Sequence, residues 1–88
     1  MKMNRQSCLN DIRPGERAVV TGLNSTGAMR RRLLDIGLTK STEVECLGRS
    51  PFGDPSAYLI RGAVIAIRSE DGRDVLVSPP ENEVTAWG

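Results

Sequence analysis

Turn-forming residues interrupt this 88-residue chain so often that no long element fits between them. Arg13-Pro14-Gly15-Glu16, Asn24-Ser25-Thr26-Gly27, Arg49-Ser50-Pro51-Phe52-Gly53-Asp54-Pro55, Gly62 and Ser69-Glu70-Asp71-Gly72-Arg73 are the main breaks, with Pro79-Pro80 after them. Each supplies the fixed φ of proline, the φ > 0 tolerance of glycine, or short polar side chains that satisfy a turn. The stretches left over are strand-sized: Arg17–Leu23, Thr42–Leu47, Ala57–Arg61, Ala63–Ile67 and Asp74–Val77. Ala18 and Val20 share a face of the first. In the second, Val44 and Cys46 alternate with Glu43 and Glu45, so the cysteine reads as a small core residue. Ala63–Ile67 is apolar throughout and reads as a strand buried on much of both sides. Leu9 and Ile12, in a short lead-in, are expected to plug one end of the core.

One stretch, Ala28–Ile36, departs from this pattern. Met29, Leu33 and Ile36 recur at helical spacing and Leu34 widens the stripe. Ser25 or Thr26 can cap the start, and Gly37 fits the left-handed position that ends a helix. So short a helix is marginal alone in water and must lie on the strands. The expectation is a mainly β fold: a small SH3-like β-barrel of about five strands, with one short α-helix inserted after the first strand. Residues 1–80 read as one domain, and 81–88, with Trp87, as a flexible tail.

Composition narrows the chemistry. The chain has no histidine, the commonest general base and transition-metal ligand near neutral pH. Phe52, Tyr58 and Trp87 are the only aromatics, too few for a base-stacking platform. A net charge of +1 gives no general grip on phosphates. Cys8 and Cys46 lie far apart with no ligand spacing, and both read as reduced thiols. The start carries no apolar export segment, and the longest apolar run, Ala63–Ile67, is far too short to span a membrane. No nucleophile–base pair can be drawn from this inventory. A binding module without catalytic residues, cofactor or metal is the expectation. A small metal-sensing or metal-binding domain and a nucleic-acid-binding β-barrel are the alternatives.

The stretch Gly27-Ala28-Met29-Arg30-Arg31-Arg32-Leu33-Leu34-Asp35-Ile36-Gly37-Leu38-Thr39 resembles the helix signature of the FeoA family. The likeness continues through Thr42-Glu43-Val44-Glu45, Pro51-Phe52-Gly53-Asp54-Pro55 and Arg61-Gly62 to Arg68, and takes in Leu9, Ile12 and Pro14-Gly15-Glu16. Lys40-Ser41 stand where the family usually has proline-glycine, so that turn is expected to form without an easy φ > 0 residue. The resemblance implies an SH3-like fold and a non-enzymatic, cytoplasmic accessory role in bacterial ferrous iron uptake. The implied partner is a FeoB-type permease with a cytoplasmic GTP-binding domain, with no nucleic acid bound and no direct membrane insertion. Self-association through exposed strand edges is a further expectation.

Candidate docking residues follow. Successive helical side chains are about 100° apart, so Arg30, Arg31 and Arg32 cannot all face one partner. The run reads either as a solvated face, with Asp35 placed for local pairing, or as a docking feature in which Arg30 or Arg31 meets an acidic patch on the partner, while Arg32 can instead be structural with its stem on the strands. The loop Pro51–Pro55 reads as a rigid hairpin connection and also, on a reading compatible with that, as a proline-stiffened platform with Phe52 as the candidate anchor and Asp54 beside it. Met29, Leu33, Leu34, Ile36, Gly37 and Gly62 are expected to be structural.

Overall fold

The computed structural model describes residues 7–80. The elements run β1 (Ser7–Cys8), a 3₁₀ turn (Leu9–Asp11), β2 (Arg17–Leu23), α1 (Gly27–Asp35), β3 (Glu43–Arg49), β4 (Ser56–Ile60), β5 (Ala63–Ile67), α2 (Ser69–Gly72) and β6 (Val75–Ser78). All neighbouring strands pair antiparallel in one six-stranded sheet of order β1-β6-β2-β3-β4-β5. The fold is mainly β with short helices, consistent with an SH3-like fold. It corrects the expected closed barrel of about five strands: β1 and β5 are the two edges and do not pair, so the sheet is open. The extra strand, β1, is only two residues long and left no periodic signal. Register shifts between Val20 and Gly22 and between Cys46 and Gly48 mark bulges, which bend the sheet around its core.

That core follows the alternation in the sequence. Ala18 and Val20 of β2, Val44 and Cys46 of β3, Tyr58 and Ile60 of β4, and Val75 and Val77 of β6 are buried together. Leu9 and Ile12 close one end, both fully buried. The lead-in is held by the Asp11 carboxylate, which accepts the Cys8 N–H at 2.9 Å. Arg13–Glu16 is a turn as expected: Gly15 has φ +92°, and the Glu16 N–H reaches the Arg13 carbonyl at 2.9 Å.

The helix is present, one residue earlier than expected at each end. Leu33 is buried, with Met29 and Ile36 packed beside it on the core. Leu34 is only half-buried and does not join the core cluster, which narrows the expected stripe. Neither serine nor threonine caps the start by its side chain: Thr26 is the N-cap residue without a side-chain bond, and the buried Ser25 hydroxyl has no partner. The far end closes as expected. Gly37 at φ +106° lets its own N–H reach the Leu34 carbonyl at 3.0 Å while the Leu38 N–H reaches back to Leu33, also at 3.0 Å. That reversal drives Leu38 into full burial, a core position the spacing did not reveal.

The Lys40-Ser41 turn forms without glycine, as expected: Ser41 itself adopts φ +76°, and its N–H bonds the Val20 carbonyl at 2.7 Å. One further expectation changes. Strand β5 is not buried on both sides. Ile67 is buried and Ile65 half-buried, but Ala63, Val64 and Ala66 are exposed. The expectation for a flexible tail at 81–88 lies outside the described residues.

Candidate functional site

The loop after β3 carries the most exposed aromatic side chain of the described residues. Ser50 and Pro55 close its base through a 3.0 Å bond from the Ser50 N–H to the Pro55 carbonyl. A tight turn follows inside, with the Gly53 N–H on the Ser50 carbonyl at 2.8 Å and Gly53 at φ +86°. Phe52 sits on that turn at 95% exposure. The loop is also tied from outside. The Asp54 carboxylate accepts the Ser69 N–H at 2.8 Å and the Ser69 hydroxyl at 3.2 Å. This places an anion on the first turn of α2, where an unsatisfied N–H would otherwise face solvent. Asp54 is thus engaged within the fold, and its bonds set the pose of the loop that presents Phe52.

On α1, Arg30, Arg31 and Arg32 are all exposed. Among the described residues, none of them forms an ion pair with Asp35, so the expected local pairing is absent and their charge faces outward. Arg32 lines a groove of about 330 Å³ with Met29 of α1, Pro55, Ala66 of β5, Arg68, Glu70 and Asp71. Pro55 and Ala66 also line an adjoining, mostly apolar depression with Leu47, Ala57 and Val64. Leu47 and Val64, at 42% and 67% exposure, are the other large hydrophobics left in solvent among the described residues. The sequence reasoning missed this patch, although the apolar run Ala63–Ile67 held the signal.

The structural candidates divide similarly. Gly62 follows Arg61 in the β4–β5 turn, with φ +84° and +53°, the left-handed pair that suits a two-residue hairpin. It provides a bend, and a β-carbon added there would meet nothing within 4 Å. Gly37 packs against the Arg61 side chain, whose guanidinium reaches the hydroxyls of Thr39 at 3.2 Å and Thr42 at 3.5 Å. This clasp joins the end of α1 to the hairpin.

Burial pushes the thiols of Cys8 and Cys46 up from their ordinary value, which keeps both protonated and poorly nucleophilic near neutral pH. Burial likewise raises the Tyr58 hydroxyl, which donates to the Leu9 carbonyl at 3.4 Å. Among the described residues, no three Cys, Asp or Glu side chains converge as a metal would require. No helix among them is long and apolar enough to cross a membrane.

Comparison with known proteins agrees with this architecture. The solution structure of a FeoA-like protein from Clostridium acetobutylicum is 30% identical, with a TM-score of 0.80 over 88% of this chain and 90% of the other. The FeoA of Stenotrophomonas maltophilia, solved in complex with zinc and described as a prokaryotic SH3 domain protein, is 25% identical, with a TM-score of 0.72 over 81% of this chain and 88% of that one. Among curated proteins, a Porphyromonas gingivalis fusion of Fe(2+) transport protein A with the Fe(2+) transporter FeoB is 24% identical over 78 residues. The match takes in 89% of this chain but spans only 9% of that longer protein. Residues 8–79 match the FeoA domain, and the chain belongs to the FeoA family.

Proposed function

We propose that this protein is a non-enzymatic, cytoplasmic accessory module of bacterial ferrous iron uptake that docks on the GTP-binding cytoplasmic domain of a FeoB-type permease. The observation that carries this reading is the covalent fusion of the two activities named in the P. gingivalis relative. Fusion raises the effective concentration of one part for the other, which is useful only if the two touch. The docking elements are the exposed face of α1, through Arg30 and Arg31, and the Phe52 loop held by Asp54. The exposed arginines steer encounter with an acidic patch, and Phe52, presented on a bonded turn, docks with little ordering cost. Docking acts on the transporter only through differential contacts with its conformations.

The test is a titration of the purified protein against the permease's cytoplasmic domain, with and without guanine nucleotide. Binding is expected, weakened about tenfold or more by Phe52→Ala or Arg31→Glu, at interface energies of roughly 1–2 kcal/mol per anchor. No binding in either nucleotide state overturns the proposal. In cells, deletion is expected to lower ferrous iron uptake, and only the wild-type chain is expected to restore it fully.

A further inference from the structure

The two edges of the sheet are not alike. β1 is two residues long, and so short an edge offers little to pair with. β5 is five residues long and contains no charge, no proline and no register shift against β4. Within the strand there is thus no charge, proline or bulge of the kind that keeps a sheet edge from pairing. Its hairpin turn is two residues long, so Ile60 and Ala63, which flank it, exchange their hydrogen bonds and the pattern alternates from there. Ala63, Ile65 and Ile67 turn their backbone groups toward β4, and Val64 and Ala66 turn theirs outward. Among the described residues, no strand, loop or side chain takes those outward groups.

The outer face of the same hairpin is also apolar. Leu59 faces Val64 and Ala57 faces Ala66 across the pair, on the side away from the core. An antiparallel sheet with one solvated face ordinarily puts polar residues there.

We infer that β5 is a homodimerisation edge, pairing antiparallel with β5 of a second copy about a two-fold axis at Ile65. Every residue of Ala-Val-Ile-Ala-Ile is apolar, so the edge meets a second copy of itself with no like charges opposed and no polar side chain buried. In this register Val64 pairs with Ala66 of the partner subunit, and Ala66 with Val64 of the partner subunit. Those are the residues with free backbone groups, and both pairs close with two hydrogen bonds each. The two apolar outer faces then merge into one. Charge agrees with the direction. Arg61 precedes β5, while Glu70 and Asp71 outweigh Arg68 just after it, so antiparallel pairing brings opposite net charges together at both ends. A five-residue edge buries less than the roughly 800 Å² per partner of a standard interface, so the dimer is weak and depends on concentration.

The experiment is sedimentation equilibrium of the full chain in reductant over a wide concentration range, with NMR amide exchange at both ends of it. A monomer–dimer equilibrium is expected, and the Val64 and Ala66 amides are expected to exchange more slowly as the dimer forms. Ala66→Pro removes an outward N–H and spares the bonds to β4, as prolines on edge strands do. It is expected to raise the Kd at least about tenfold. Val64→Lys keeps every backbone group and is expected to act in the same direction through an edge lysine. Its circular dichroism and melting curve are expected to match wild type, which separates lost pairing from lost folding. A chain that is monomeric at every concentration overturns the inference, and so does a dimer that survives Val64→Lys with other amides protected. Neither readout involves the permease, so this edge and the docking proposal stand or fall separately.

Discussion

A few residues hold positions no other side chain could fill at equal cost. Gly37 is the clearest. Its φ of +106° closes α1, and an added β-carbon would lie 3.1 Å from both the Arg61 and Ile60 side chains. Gly37→Ala is expected to cost about 1–3 kcal/mol, read as a lower urea midpoint with an unchanged slope. Cys46 gives a pH signature. Burial raises its thiol above the ordinary value of 9.0, and Cys8 shifts the same way. The unfolded chain therefore loses these protons first, and above that pH the folded state binds more protons than the unfolded one. Stability is fully present below about pH 9 and falls as pH rises through the raised values. Urea midpoints measured from pH 7 to 10 are expected to decline in the wild type and to decline less steeply in Cys46→Ala.

Among the elements, legibility depended on how local the cause was. α1 could be read because its stripe and its terminating glycine lie within one short stretch. The β2 and β3 faces could be read because period 2 is strict there. Asp54 was singled out for its loop, but its bonds to Ser69 join residues far apart in sequence, and no spacing rule reports that. Asp54→Ala is expected to cost about 1 kcal/mol, with faster exchange at the Ser69 amide as the direct check. β5 misled for a physical reason. A strand apolar on both faces ordinarily sits inside a layered fold, and this sheet supplies a layer on one side only. Leu38 was missed because the chain reverses at Gly37, so its burial belongs to no helical or strand period.

Over the whole molecule, the exposed features and the stabilising ones are separate. Phe52 and the outward arginines contribute nothing to the buried cluster, so Phe52→Ala and Arg31→Glu are each expected to stay within about 0.5 kcal/mol of wild-type stability in thermal melts. Any loss of permease binding in those variants is then a surface effect. The core itself is assembled from both ends of the described chain: Leu9 and Ile12 pack with Val75 and Val77. The sheet order carries this further. The last of the described strands, β6, lies between the first two, so a chain emerging from the ribosome cannot set β1 in place until Val75–Ser78 has been synthesised. β2 to β5 can pair with their sequence neighbours meanwhile, but β1 waits unpaired, and its docking beside β6 is a late, long-range step of the kind that folds in milliseconds to seconds.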